Sequence, residues 1–211
     1  NNAIRVCLGT GCLKTCHQWI CLPPRLVSYQ KRGGLSRIKK CIGYRKPCPR
    51  PPLAQQIAQG FNHHYLPGVQ LPRNIKVSAN WGQTFANATA DDLVIIATPV
   101  SGLESVVNQL LALPVVPKNW VWLCKGLDPQ TSAMPHQLIG QFLAGDDRIR
   151  SGVLSGPSFA SEVAKGLPCA LTIASHAGDL VELVQNTLHF DNIRIYGSSD
   201  VVGVELGGAV K

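Results

Sequence analysis

A short, unbroken run of apolar residues, LVIIA at positions 93–97, constrains the fold more than any other stretch of this chain. A strand with one wet face alternates apolar and polar residues, whereas a continuous β-branched run is typical of a strand buried on both faces. Thr98-Pro99 ends the run, and residues 103–111 then carry apolar side chains at helical spacing. Ser101 and Glu104 predict a capping box at the start of that helix.

The same alternation of strand and helix continues along the rest of the chain. Strands that are joined through helices imply right-handed crossovers and parallel pairing. We therefore predict a doubly wound α/β fold, with a mainly parallel sheet and helices on both faces. Further strands are predicted at 120–124, 153–154, 170–174 and 193–196, and further helices at 134–142 with Gly145 as C-cap, from Pro157 to near Gly166, at 180–188 and from about Asp200.

The basic residues are concentrated at one end of the chain, although the formal net charge is +8 overall. Residues 1–50 contain 11 of the 20 Lys and Arg residues, most of the Cys residues and none of the 12 Asp and Glu residues. Such a segment fits nucleic-acid binding, zinc binding or a damaged, out-of-frame stretch. The Cys spacings are not the C-x-x-C pairs of zinc sites, and we favour damage.

A candidate dinucleotide-binding turn lies near the start of this basic segment. Gly9 and Gly11 follow a predicted strand at 4–8, and glycines in such a turn let the backbone approach a pyrophosphate. Lys14 stands where the third small residue of the fingerprint is needed. The ordinary alternative is a chance G-x-G in a loop.

Two further candidate sites also follow strands, where sheets of this kind bind ligands. Lys125 comes directly after the strand at 120–124, at the predicted carboxyl edge of the sheet. The stretch SGPSFA at 155–160 follows the next strand and opens a helix, with Pro157 in its first turn. Free N–H groups at that helix start would suit an anion or a carbonyl oxygen. The ordinary alternatives are a solvated lysine and a plain helix start.

The last predicted helix contains Glu205, two glycines and, at the end of the sequence, Lys211. Gly207 and Gly208 weaken a helix, which indicates that another group approaches its backbone closely. Lys211 is a candidate proton donor or acceptor. The six histidines, His136 among them, are predicted to be surface residues, and Cys124 and Cys169 to be small core residues rather than nucleophiles.

Several short motifs follow one another in a fixed order. They are NHHYLPG at 62–68 with Leu71-Pro72, IATP at 96–99, KGL at 125–127, LSGPSFA at 154–160, GLP at 166–168 and GVELGGAVK at 203–211. This ordered set, which covers residues 53–211, resembles the bacterial NAD(P)-dependent glycerol-3-phosphate dehydrogenases. The resemblance implies a Rossmann-type NAD(P)-binding domain followed by an all-helical substrate domain, in a cytoplasmic and dimeric enzyme.

The resemblance also implies a reaction and a set of site residues. The reaction interconverts dihydroxyacetone phosphate and sn-glycerol 3-phosphate, a precursor of phospholipids, with NAD or NADP as cofactor. Lys211 is implied to be the proton donor or acceptor at the substrate's C2 oxygen, and Lys125 to lie near both nicotinamide and substrate. Gly156 and Ser158 are implied to bind substrate, and the implied cofactor-binding residues are Gly9, Gly11, Pro99, Lys125 and Ala160.

The sequence departs from this family at both ends. The family's first turn reads Gly-x-Gly-x-Trp-Gly-Thr, whereas Leu13 stands here where Trp is expected. We therefore predict three parts: a divergent or damaged segment at 1–52, the cofactor domain at 53–199, and the first turns of a truncated helical domain at 200–211. We expect little or no activity from these 211 residues alone. A hydroxyacid or 6-phosphogluconate-type dehydrogenase and a non-catalytic nucleic-acid binder remain alternatives.

Overall fold

The fold is described by a computed structural model for residues 4–7, 40–43, 59–63, 66–71, 75–78 and 80–210. Its strands are β1 (Ile4–Cys7), β2 (Lys40–Gly43), β3 (Phe61–Asn62), β4 (Leu66–Gln70), β5 (Ile75–Ser78), β6 (Leu93–Ile96), β7 (Asn119–Trp122), β8 (Arg150–Ser155), β9 (Cys169–Ala174) and β10 (Ile193–Ser198). Its helices are α1 (Trp81–Phe85), α2 (Leu103–Leu111), α3 (Pro135–Leu143), α4 (Ala160–Ala164), α5 (Gly178–Leu188) and α6 (Val201–Ala209).

Eight of these strands form one sheet in the order β10-β9-β8-β7-β6-β1-β2-β5, and β3 and β4 form a separate hairpin. All neighbours in the large sheet pair in parallel except β8 and β9, which are antiparallel. The predicted doubly wound, mainly parallel sheet is therefore confirmed. The order of the strands reverses between β1 and β6, and this switch point is where open α/β sheets bind ligands.

The buried strands divide the core into two clusters, one on each face of the sheet. Successive side chains of a strand point to opposite faces. Leu93 and Ile95 accordingly belong to one cluster, together with apolar residues of α5, whereas Val94 and Ile96 belong to the other, together with those of α2. Burial on both faces explains why β6 reads as a continuous apolar run. In the described part of the chain, no helix has both the length and the apolar character that crossing a membrane requires.

Two predicted helix starts are wrong by a few residues. The capping box at Ser101 and Glu104 does not form, because a 3₁₀ turn at Val100–Gly102 precedes α2 and makes Gly102 its N-cap. The helix predicted from Pro157 begins at Ala160, because Phe159 keeps an extended conformation as its N-cap.

Two other predicted helix boundaries are confirmed. Asp200 caps α6 by accepting a hydrogen bond of 2.8 Å from the backbone N–H of Gly203. Gly145 follows the C-cap Ala144 of α3 with a positive φ of 85°.

The basic segment contributes two strands to the sheet. β1 lies between β6 and β2, and β2 lies between β1 and β5. Within the basic segment the sequence shows little strand periodicity after residue 8, so β2 is not predicted. Parallel pairing with β1 on one side and β5 on the other defines this strand. Arg5 of β1 is buried and its Nε lies 2.5 Å from the Oδ2 of Asp92, which is buried as well. The division of the chain at residues 52 and 199 stays a prediction.

Candidate active site at the carboxyl edge of the sheet

The parallel strands β7 and β8 end side by side and bring two predicted site residues together. Lys125 follows β7 by three residues, and Gly156 follows β8 directly. The Nζ of Lys125 donates to the backbone oxygen of Gly156 over 3.5 Å. Lys125 is half-buried, and this contact places its ammonium group beside the predicted turn at Ser155-Gly156-Pro157.

Gly156 adopts a backbone conformation that favours glycine. Its φ is 154°, and a Cβ built on it would lie 2.6 Å from the backbone oxygen of Ala170 and 3.0 Å from the Cα of Leu171. These contacts are with the backbone of β9, the strand that pairs with β8 in the antiparallel direction. The glycine therefore permits β8 to turn tightly against β9 at the edge of the sheet.

We expect Gly156→Ala to lower the free energy of unfolding by about 2–4 kcal/mol, because the methyl group meets backbone that cannot easily move. Gly140 in α3 is the matched control, since it is exposed and a Cβ there meets nothing within 4 Å. Gly140→Ala is expected to stabilise the protein by about 0.5–1 kcal/mol, as usual inside a helix. Urea unfolding followed by circular dichroism measures both, and equal midpoints for the two variants would contradict the expectation.

Ser158 and Ala160, the other predicted residues of this turn, are both buried. The Oγ of Ser158 has no hydrogen-bond partner among the described residues, although the residue is only 3% exposed. A buried hydroxyl without a partner is unfavourable, so the group is suited to a polar ligand atom. The side chain of Ala160 packs into the core with Val163, and only its backbone is left to contact a cofactor.

Helix α6 closes one side of this site. A Cβ on Gly208 would lie 2.4 Å from the Oγ of Ser155 and 3.9 Å from the Cγ of Lys125, which confirms the predicted close approach at this glycine. At Gly207 a Cβ would meet nothing within 4 Å, so the expectation is wrong there. Gly207 instead faces open space in a cleft of about 210 Å³, which is lined by Ser155, Gly156, Pro157, Thr172, Val204, Gly207 and Gly208.

A buried carboxyl group beside this cleft was not predicted as functional. Glu205 of α6 is 5% exposed, and its Oε1 accepts a hydrogen bond of 2.6 Å from the indole Nε1 of Trp122 in β7. It also accepts one of 3.0 Å from the backbone N–H of His136 in α3, whose ring Nδ1 lies 2.5 Å from Oε2. His136 is therefore not the plain surface residue that the sequence predicts. The sequence signal that could have identified Glu205 is an acidic residue within an otherwise apolar predicted helix.

Four predicted site residues remain, namely Pro99, Gly9, Gly11 and Lys211. Pro99 follows β6 and stands at the switch point between β1 and β6, half-buried. Gly9, Gly11 and Lys211 fall outside the residues that the structure describes. Among the described residues, no group of three His, Cys, Asp or Glu side chains has the arrangement of a metal site.

Cys124 and Cys169, which were both predicted as core residues, have different surroundings. Cys124 is buried, at 5% exposure, directly before Lys125. Cys169 begins β9 and is half-buried, and there burial and then the charge of Glu162 raise the pKa of its thiol. A raised pKa keeps the thiol protonated near neutral pH, which is unfavourable for a nucleophile.

The sheet order and its switch point define a doubly wound α/β fold, of the class that binds dinucleotides at the carboxyl ends of its strands. The family model for the N-terminus of NAD-dependent glycerol-3-phosphate dehydrogenase matches residues 49–181. The chain therefore belongs to the NAD-dependent glycerol-3-phosphate dehydrogenase family, which confirms the resemblance carried by the motifs.

Curated relatives agree with this family. A glycerol-3-phosphate dehydrogenase [NAD(P)+] of Polynucleobacter asymbioticus is 48% identical over 155 residues, which are 72% of this chain and 46% of the relative. The enzyme of the same name from Ralstonia nicotianae is 44% identical over 162 residues, with 75% of this chain and 48% of the relative covered. The chain thus spans about half the length of the curated relatives that it matches.

Solved structures agree in fold. Glycerol-3-phosphate dehydrogenase from Coxiella burnetii superposes with a TM-score of 0.74 at 24% identity, covering 98% of this chain and 57% of the other. The enzyme from Plasmodium falciparum superposes with a TM-score of 0.77 at 22% identity, covering 99% of this chain and 56% of the other.

Proposed function

We propose that this chain forms the cofactor-binding half of an NAD(P)-dependent glycerol-3-phosphate dehydrogenase. The reaction would interconvert dihydroxyacetone phosphate and sn-glycerol 3-phosphate, for use in phospholipid synthesis. The observation that carries the proposal is the meeting of Lys125, the Gly156 turn and α6 at one edge of the sheet, in a member of this family. Family membership alone does not identify the functional residues of this half. The cluster at the edge of the sheet indicates which residues they are.

The residues of this edge fit a dinucleotide and a small phosphorylated substrate. The open space beside Gly207 leaves room for ligand atoms, and the buried hydroxyl of Ser158, which has no partner among the described residues, offers them a polar contact. Pro99 stands at the switch point, where the cofactor of such a sheet binds. We propose that Pro99, Lys125 and Ala160 contact the cofactor, as do Gly9 and Gly11, which follow β1 in the sequence. NAD(P), when bound, supplies or accepts the hydride.

The chain's own part in the reaction is electrostatic and proton-transferring. We propose that the ammonium group of Lys125 stabilises the negative charge that grows on the C2 oxygen during reduction. Lys211 donates the proton to that oxygen and takes it back in the reverse direction. Gly156 and Ser158 hold the substrate against the carboxyl ends of β7 and β8. We further propose that the complete enzyme is cytoplasmic and works as a homodimer. Sedimentation of the full-length protein would check the homodimer.

The experiment that tests this function measures turnover in a protein long enough to hold the whole site. Residues 49–211 replace the corresponding part of the Polynucleobacter asymbioticus relative, and oxidation of NADPH is followed with dihydroxyacetone phosphate. We expect turnover with this substrate and none with hydroxyacids or 6-phosphogluconate in the oxidative direction. A fusion that turns over either of the latter instead would overturn the assignment.

A second fusion tests the basic segment separately. It keeps residues 1–48 of this chain and is otherwise identical to the first fusion. If the segment is damaged, NADPH binds at least about tenfold more weakly, because backbone N–H groups of the first turn normally hold the pyrophosphate. Equal NADPH affinity in the two fusions would show that the segment forms a working cofactor turn.

A further inference from the structure

Glu205 stands out because it is a buried carboxyl group that the proposed reaction does not use. Burying such a group is costly unless every oxygen finds partners. Here Trp122 and the backbone N–H of His136 donate to Oε1, while the His136 ring lies against Oε2. The carboxyl group thus joins three separate elements, namely α6, β7 and α3.

The apolar packing of α6 rests on few side chains, because Val201 belongs to one core cluster and Val204 packs against it. Only Val201 and Glu205 of this helix are fully buried, whereas Val202 and Leu206 are 45% and 46% exposed. Apolar burial is non-directional, so by itself it does not specify the rotation of a helix about its axis. Directional hydrogen bonds to Glu205 specify that rotation, since each requires one orientation of α6.

The orientation of α6 matters because of what lies beside it. Trp122 precedes Lys125 by three residues in the sequence, and Gly208 follows Glu205 by three. Gly208 lies close to Ser155 and to the side-chain stem of Lys125, since a Cβ built on it would come within 4 Å of both side chains. The chain then continues from Ala209 to Lys211, the proposed proton donor.

We propose that Glu205 is a positioning residue, which fixes α6 against β7 and α3 and thereby sets the position of Lys125 relative to the carboxyl end of α6. What the helix is positioned for rests on the function proposed above. For packing alone, an apolar side chain of similar size would serve as well or better than a buried carboxyl group. The orientation imposed by its hydrogen bonds is what an apolar replacement would not provide.

The test uses the 211-residue chain and two local NMR signals. One is the hydrogen exchange rate of the Trp122 indole N–H, assigned with Trp122→Phe. The other is the ¹³Cε signal of Lys125 in protein made with labelled lysine, assigned with Lys125→Arg. In Glu205→Ala we expect indole exchange at least about 100-fold faster, because its acceptor is lost, and a displaced Lys125 signal.

Two comparisons separate positioning from a general loss of stability. Glu205→Gln keeps an oxygen acceptor for Trp122 and His136, and we expect it to restore the Lys125 signal and to bring indole exchange within about tenfold of the parent. Glu182→Ala in α5 removes an exposed carboxylate and is expected to leave both signals unchanged. A Lys125 signal that does not move in folded Glu205→Ala would overturn the proposal.

A further variant covers the case in which Glu205→Ala does not fold. His136→Ala removes the ring beside Oε2 but keeps the backbone donor, so the protein retains two of the three contacts. We expect a smaller displacement of the Lys125 signal in the same protein, and no displacement would overturn the proposal. These signals need no cofactor, substrate or turnover. The NMR signals can therefore contradict the positioning role of Glu205 while the proposed activity holds. They can equally support that role while the proposed activity fails.

Discussion

Replacing Lys125 by methionine is expected to lower kcat/KM for dihydroxyacetone phosphate by about 100- to 1,000-fold, the usual effect of removing one group that stabilises a developing oxyanion. The side chain reaches the Gly156 turn, where its Nζ lies 3.5 Å from the backbone oxygen. Methionine keeps the apolar stem that packs near Gly208 and removes only the charge. Turnover is measured in the fusion that carries residues 49–211 of this chain.

Lys118 provides the matched control for this substitution. It precedes β7 directly, whereas Lys125 follows the same strand, so the two lysines lie at opposite edges of the sheet. Lys118 is exposed, and Lys118→Met is expected to leave kcat/KM within about twofold, as for a surface charge far from the site. Similar losses in the two variants, or no loss in Lys125→Met, would remove Lys125 from the proposed mechanism.

Replacing Arg5 by methionine is expected to lower the free energy of unfolding by about 3–5 kcal/mol, the usual result of breaking a buried ion pair from one side. The guanidinium bonds to Asp92 and to the backbone oxygens of Thr84 and Asn87, and it lies 5.4 Å from the centre of the Phe85 ring. Its loss leaves the Asp92 carboxylate buried, at 1% exposure, with Thr89 as a neighbouring donor.

This variant also tests whether the basic segment belongs to the fold. Arg148 serves as the control, since its side chain is 81% exposed and pairs with Asp146 at the surface. Arg148→Met should change the unfolding free energy by less than about 1 kcal/mol. Urea unfolding of the 211-residue chain compares both with the parent. A change in Arg5→Met as small as that in Arg148→Met would contradict the pairing of residues 4–7 in the sheet and would support the hypothesis that the basic segment is damaged.

Local sequence patterns predicted the elements whose cause is local. The run at 93–97 is apolar throughout because β6 is covered on both faces, and its β-branched residues favour a strand. The start of α6 was predicted near Asp200, and in the structure the Asp200 side chain caps the helix within its own turn. The capping box predicted at Ser101 does not form, because the preceding Pro99 and a 3₁₀ turn decide where α2 begins.

The sequence predicted residues of the candidate site but not the contacts that they make in the fold. Lys125, Gly156 and Ser158 were identified because they follow strands in motifs typical of the family. The sequence did not indicate that Gly156 lies against Ala170 of an antiparallel neighbour, because strand direction depends on which strands meet in the sheet. Nor did it indicate a partner for Glu205, since a helical period shows which face is buried but not what covers it.

The sequence by itself determined the family, the alternation of strands and helices, and the residue types placed at the ends of the strands, because each depends on neighbouring residues or on a recurring motif. Only the tertiary structure decided that Arg5 pairs with Asp92, that β9 runs against β8, and that Glu205 meets Trp122 and His136, which are 83 and 69 residues away along the chain. Contacts over such separations form only when the sheet brings distant segments together, so no local pattern encodes them.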